Sequence, residues 1–129
     1  MRERIIKEME LSGFIQNNKI KIEEIKKDDT VVLKAIITKT AMNPYGMAHG
    51  GFIFGLGDTA MGIRAALTGK KAVTTTANIN YLKKATGNYL IAEAEIIKDG
   101  TSIAYLETKI YNDKNELIAT MNSNYFYIK

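Results

Sequence analysis

Between Gly51 and Leu67 the chain runs GFIFGLGDTAMGIRAAL, apolar on nearly every side, with only Asp58 and Arg64 charged. A helix with one apolar stripe can rest on a core, but a helix that is apolar all round has to be enclosed. The segment therefore predicts a buried helix ending near Gly69, and it requires the rest of the chain to wrap it. Gly51, Gly55, Gly57 and Gly62 each weaken an isolated helix by about 1 kcal/mol relative to alanine, so they should serve close contact with a sheet or another chain.

The flanking sequence has the pattern of a wrapping sheet. Lys19 to Ile25 and Thr30 to Thr38 are rich in isoleucine and valine and are separated by Lys27-Asp28-Asp29, a turn signal. After the apolar helix come Ala72 to Leu82, Asn88 to Lys98, Ser102 to Tyr111 and Glu116 to Ile128, broken by Lys83 to Gly87, Lys98 to Thr101 and Asn112 to Asn115, residues that turns favour. Val73, Thr75, Ala77, Ile79 and Tyr81 alternate with Thr74, Thr76, Asn78 and Asn80, which predicts one covered and one more polar face. Ahead of the first strand, Ile5, Ile6, Met9 and Phe14 recur among charges as in a short amphipathic helix ending near Ser12-Gly13 and lying on the outside. The expectation is an α+β fold, one long buried helix wrapped by a largely antiparallel sheet, in a single domain over 1–129.

Several functional classes are disfavoured. With 46% apolar and 25% charged residues the composition is that of a folded globular chain. There is no cysteine, which rules out disulfides and thiolate metal sites, and one histidine among scattered acids supplies no usual ligand set, so no metal is expected. The N-terminal stretch carries Arg2, Glu3, Arg4, Lys7, Glu8 and Glu10, unlike a secretory leader, and no run approaches the roughly 18 apolar residues of a membrane helix. A cytoplasmic protein that does not span a membrane is the expectation. The formal charge of +4 suits a phosphate-bearing small ligand, but the lysines are scattered rather than interleaved with aromatics, which argues against nucleic acid.

Chemistry gathers between Thr40 and Asp58, a passage that also holds the only proline and the only histidine. A helix that begins at Gly50-Gly51 offers free backbone N–H groups and the positive end of its dipole, a ready site for a developing oxyanion. Without side chains there, a ligand carbonyl can come within hydrogen-bond distance; the plainer reading is a tight turn into the helix. Asp58, a carboxylate in an otherwise apolar helix, needs either partners or a task. His49 before the glycines suits an orienting role. Asn43, beside Pro44, carries both an amide donor and an acceptor, and turn chemistry is its simpler use.

Taken together, NPYGMAHGGFIFGLGDTA resembles the motif of the hotdog-fold thioesterases, in particular the phenylacetic-acid-degradation (PaaI-like) subfamily. The signature is an Asn, a His-Gly-Gly and an Asp nine residues after the His, and here these fall on Asn43, His49-Gly50-Gly51 and Asp58. The resemblance implies hydrolysis of an aryl- or fatty-acyl-CoA thioester, with coenzyme A as part of the substrate and no separate cofactor. Asp58 would be general base or nucleophile, the Gly50 amide would polarise the carbonyl, Asn43 would orient water or substrate, and His49 and Gly51 would support that geometry. Thr74 falls where relatives place a Ser or Thr near the acid, although three consecutive threonines leave the register open by one or two positions. Strand parity puts Thr76 on the same face. Tyr81 to Ala85 resembles the family's strand end, with Lys84 where many relatives have proline. Tyr81, Lys83, Lys84 and Lys98 are the further candidates for contacts to CoA.

Gly50 and Asp58 are eight residues apart, roughly 12 Å along a helix axis at 1.5 Å per residue. A thioester carbon about 3 Å from its nucleophile cannot also place its oxygen on that amide. Geometry therefore predicts a homodimer with antiparallel helices and two shared sites, and the family resemblance implies the same, often as a homotetramer. The alternatives are a non-catalytic acyl-CoA binding protein of the same fold and a hotdog hydratase or dehydratase.

Overall fold

In the computed structural model, which describes residues 1–128, the predicted apolar helix is α3 (Gly50–Ala66). It lies against a six-stranded antiparallel sheet made of β1 (Ile20–Ile25), β2 (Val31–Ile36), β3 (Lys71–Tyr81), β4 (Tyr89–Asp99), β5 (Ile103–Asn112) and β6 (Leu117–Ile128), in the order β1-β2-β4-β5-β6-β3. Two short N-terminal helices, α1 (Arg2–Glu10) and α2 (Gly13–Asn17), cover the remaining side of α3. This is the hotdog arrangement, with the helix as filling and the sheet as wrapper.

The wrapping follows from side-chain parity. Along β6, Ala119, Met121, Ser123, Tyr125 and Tyr127 are buried while Thr120, Asn122, Asn124 and Phe126 are not, the period of two that lays one face of a strand on a core. From the helix, Leu56, Met61 and Ile63 are buried against that face, and enclosing each contributes about 1.5–3 kcal/mol. Gly57 is where helix and sheet meet most closely, since a Cβ there would collide with the Met121 sulfur. Two hydroxyls inside the core are satisfied locally: Thr108 donates to the Gly57 carbonyl and Ser123 to the Met61 sulfur.

Strand β3 departs from the expected pattern in a way that matters for the site. It pairs only with β6, and Thr74 faces Tyr125 whereas Thr76 faces Asn124, so Thr75 is an extra residue, a β-bulge. The bulge inverts parity halfway along the strand. Thr74 points toward α3, but Thr76 sits on the outer face, where Asn124 donates to its hydroxyl at 3.0 Å. The expectation that Thr74 and Thr76 share a face is therefore corrected. Beyond the bulge Ala77 and Ile79 are the half-buried positions, and Tyr81 returns to the helix side. Neither face of β3 is covered as strict alternation predicted, because its 11 residues form a sheet edge.

The short N-terminal helix predicted to end near Ser12-Gly13 is present as α1, and a second, α2, follows it. The first ends at Glu10, and the second begins past Ser12, which puts Phe14 in its first turn. Arg2 ties α1 to the β1–β2 turn through the carbonyls of Ile25 and Lys26 and an ion pair with Asp29 at 3.3 Å.

Candidate active site

Asp58 sits midway along α3, and two neighbouring strands supply its partners. Thr74 Oγ1 on β3 donates to Asp58 Oδ1 at 2.8 Å, and the Tyr125 hydroxyl on β6 donates to the same oxygen at 2.6 Å. That hydroxyl is also 2.7 Å from the Asp58 main-chain carbonyl. With both donors converging on Oδ1, Oδ2 accepts no hydrogen bond among the described residues and is the oxygen left to take a proton or attack an electrophile. Tyr125 is only 2% exposed, and burial, followed by the negative charge of Asp58, pushes its hydroxyl far above the usual tyrosine range. It therefore stays a donor. Gly62, one helical turn beyond Asp58, lies beside this ring, and a Cβ there would make only ordinary contact with the hydroxyl, at 3.6 Å.

At the start of α3, His49 is the N-cap, and its Nδ1 accepts from the Gly51 amide at 2.8 Å. With the Gly51 N–H thus occupied, the Gly50 N–H has no acceptor among the described residues and points out of the helix end. The Gly50 carbonyl accepts from the Tyr81 hydroxyl at 2.7 Å, and a Cβ on Gly50 would stand 3.2 Å from that same oxygen. Tyr81 closes one side of the amide, and partial burial raises its hydroxyl's pKa.

Asn43 shapes the loop leading into this helix end. Its Oδ1 accepts from the amides of Tyr45 and Met47 at 2.9 and 3.1 Å, and Gly46 follows at φ +77°, so the side-chain oxygen is engaged in holding the turn. The turn is closed by the Asn43 amide on the Met47 carbonyl and by the His49 amide on the Ala41 carbonyl. Asn43, Gly50, Tyr81, Lys83 and Lys84 together line a hollow of about 190 Å³.

The expected site residues thus fall into two groups on one chain: Asn43, His49, Gly50, Gly51, Tyr81, Lys83 and Lys84 at the helix start, and Asp58 with Thr74 further along. Thr76 belongs to neither. Lys83 is paired with Glu116, which holds that carboxyl below its usual range, so of the two strand-end lysines Lys84 is the one whose ammonium makes no ion pair among the described residues. Lys98 lies at the other end of the sheet, beside Asp99, which accepts from Tyr127 at 2.5 Å. Within one chain the three lysines do not cluster.

Sequence reasoning missed Tyr125. It stands 67 residues from the acid it holds, and the only available signal was its parity with Met121 and Ser123 on a strand predicted to cover the helix. It also missed the main cavity, of about 710 Å³, between α3 and the N-terminal helices, with Asp58, Thr74 and Tyr125 on its wall. Among the described residues no cluster of three potential metal ligands occurs, and no helix is long and apolar enough to cross a membrane.

Comparison with known proteins gives the family and the fold. Residues 45–119 match the family model described as the thioesterase superfamily. A curated protein of Archaeoglobus fulgidus named "Putative esterase" is 32% identical over 94 residues, 72% of this chain but 61% of that protein, so the match spans less than two thirds of the relative's length. The structure of Escherichia coli PaaI, from the phenylacetic acid degradation operon, superposes with a TM-score of 0.92 over 99% of this chain and 94% of its own at 22% identity, a likeness of fold. A hypothetical thioesterase of Streptococcus pneumoniae, solved with coenzyme A, is 26% identical, with a TM-score of 0.86 over 95% of this chain and 96% of its own.

Proposed function

This chain belongs to the thioesterase superfamily, and from that premise we propose that it hydrolyses acyl-CoA thioesters to a free acid and coenzyme A. The single observation that carries the proposal is Asp58. Its carboxylate is gripped on one oxygen by Thr74 and Tyr125 and left open on the other, at the wall of an apolar cavity. A residue serving only to hold the fold would have no reason to leave Oδ2 without a partner. The coenzyme A bound to the pneumococcal relative supports the choice of thioester.

In the reaction, Asp58 Oδ2 takes a proton from water as the water oxygen attacks the thioester carbon, or attacks that carbon itself to give a mixed anhydride that water then opens. In either route the carbonyl oxygen gains negative charge and is met by the Gly50 N–H at a helix N-terminus. The tetrahedral centre then expels the CoA sulfur, which takes up the proton held on Asp58 Oδ2 in the first route and, in the second, leaves as a thiolate that takes the proton released when water opens the anhydride. Thr74 and Tyr125 keep the carboxylate aimed; Asn43 and His49 hold the loop and cap that present the amide.

The two groups belong to different copies of the chain. Roughly 12 Å of helix separates Gly50 from Asp58, which no single carbonyl spans. Strand β3 is an 11-residue edge, Thr- and Asn-rich and free of proline, with one row of backbone groups unpaired, and such an edge suits pairing with a second copy. An antiparallel, two-fold pairing along β3 brings Asp58 of one protomer toward Gly50 of its partner, twice per dimer.

The test is release of free CoA from a panel of aryl-, short-chain and long-chain acyl-CoAs. Turnover of at least one class is expected; binding throughout the panel without turnover would contradict the proposal and leave an acyl-CoA binding protein.

A further inference from the structure

The cavity beside Asp58 has a definite shape. Its floor is the face of α3 that carries Gly55, Asp58, Thr59, Gly62, Ile63 and Ala66, where Ile63 alone exceeds aspartate in size. Its roof is Ile5 and Met9 of α1 with Ile15 of α2, a cover anchored by Arg2 to the β1–β2 turn. Phe14 closes one end, so tightly over Gly55 that a Cβ there would stand 2.7 Å from the ring, and Met1 meets Gly69 at the other. Charged groups, Arg4, Glu8, Lys70 and Lys71, complete the lining.

We infer that this cavity holds the acyl chain of the substrate, and that the two N-terminal helices select a linear chain of about ten to twelve carbons. The inference rests on the thioesterase reading and adds to it the class of acyl group. Asp58 lies near the Phe14 end, so the free run extends along α3 from Asp58 to Ala66, eight residues or roughly 12 Å of helix axis, and continues past the helix end to Gly69. A saturated chain with bonds of about 1.52 Å at about 111° advances about 1.25 Å per carbon, so roughly ten carbons fill the helical part of that run, and the stretch to Gly69 lengthens it slightly. The volume points the same way. A single aromatic ring is enclosed by about 150 Å³, far less than the 710 Å³ present. Mostly small side chains on the floor and flexible methionines at the roof suit a narrow, adaptable alkyl chain.

Ala66 stands on the floor two turns beyond Asp58, roughly 12 Å away, touching none of the groups assigned to the chemistry. Phenylalanine there would shorten the cavity from below, and Met9→Phe would do so from the roof. Turnover and calorimetric binding are measured for butyryl-, benzoyl-, octanoyl- and dodecanoyl-CoA. The wild type is expected to favour dodecanoyl-CoA over butyryl- and benzoyl-CoA by at least tenfold in kcat/KM. Either variant should lose at least tenfold on dodecanoyl-CoA while staying within about threefold on butyryl-CoA, a retention that also reports an intact fold. A wild-type preference for butyryl- or benzoyl-CoA, or variants that change all chain lengths alike or none, would overturn the inference while leaving the thioesterase reading intact. If nothing is turned over, that reading fails and binding decides: dodecanoyl-CoA bound at least tenfold more tightly than butyryl-CoA, with the advantage lost in Ala66→Phe, upholds the acyl cavity, and equal affinities refute it.

Discussion

The two ends of the proposed catalytic arrangement on α3 are built in opposite ways. Asp58 is held from a distance: Thr74 lies 16 residues away and Tyr125 67, and the sheet brings both to one carboxylate oxygen. Gly50 is held mainly by local contacts, by the cap His49 one residue before it and by the turn that Asn43 closes upon Tyr45 and Met47, with one distant donor, the Tyr81 hydroxyl, on its carbonyl. The acid depends on correct global folding and on a bulge in β3; the oxyanion amide depends on a loop and a helix end. Each protomer carries both halves, yet sets them too far apart to work on one carbonyl.

Removing the acid is the most damaging test of this contrast. Asp58→Asn keeps the shape and both hydrogen bonds to Oδ1 but loses the charge, and kcat should fall by about 10²–10⁴, with KM for the preferred acyl-CoA little changed. A smaller loss would mean that the distant half is not the chemical one. Gly50→Pro attacks the local half with little other disturbance. Proline suits the first position of a helix, and His49 at ψ 139° already has the extended conformation that precedes proline. Only the N–H disappears, apart from a ring carbon close to Tyr81. Loss of one oxyanion donor should lower kcat by about 10²–10³, measured beside circular dichroism to show the helix intact.

Tyr125→Phe separates holding the acid from being the acid. About tenfold in kcat is expected, as for a hydrogen bond to a charged group, with Asp58 still present and KM unmoved. The same variant tests a pH effect. Burial raises the folded-state pKa of Tyr125 above its ordinary value of 10.0, so above about pH 10 the unfolded chain releases a proton that the folded chain retains. Unfolding is then favoured as pH rises, and the stabilisation present below that pH is progressively lost. Denaturant titrations should show a decline in wild-type stability above pH 10 that is shallower in Tyr125→Phe. The smallest effect belongs to the local half. His49→Ala removes the cap on Gly51 and should cost about 1 kcal/mol of stability, seen as a lower midpoint at unchanged m-value.

The same division between local and distant explains what could be read from the sequence. The apolar helix was legible to within one residue at its start and three at its end, Gly51 to near Gly69 expected against Gly50–Ala66 observed, because all-round hydrophobicity is a property of the segment itself. The six strands were legible for the same reason, with Thr30 to Thr38 trimmed to Val31–Ile36 where Ile37 turns aside to bond Asn88. Asp58 stood out as a carboxylate in an apolar helix and Gly50 as the start of that helix, and the resemblance to the hotdog-fold thioesterases joined them with His49. The bulge at Thr75 did not: Thr74, Thr75 and Thr76 are chemically identical, so no contrast in hydropathy marks where parity inverts, and Thr76 was assigned to the wrong face. Nor could the sequence reveal that Tyr125 reaches Asp58, or that the break at Ser12 frees Phe14 to pack over Gly55, since both depend on where separate elements come to rest.

The central claim is that each site joins Asp58 of one protomer to Gly50 of its partner, and subunit mixing tests it most directly. Asp58→Asn and Gly50→Pro are each nearly inactive alone; refolded together in equal amounts, half of the dimers should be mixed, and in each of these one of the two sites has both groups intact. Native mass spectrometry verifies the mixed species. The account predicts recovery to about a quarter of wild-type activity; a mixture containing mixed dimers yet no more active than its parents would contradict it.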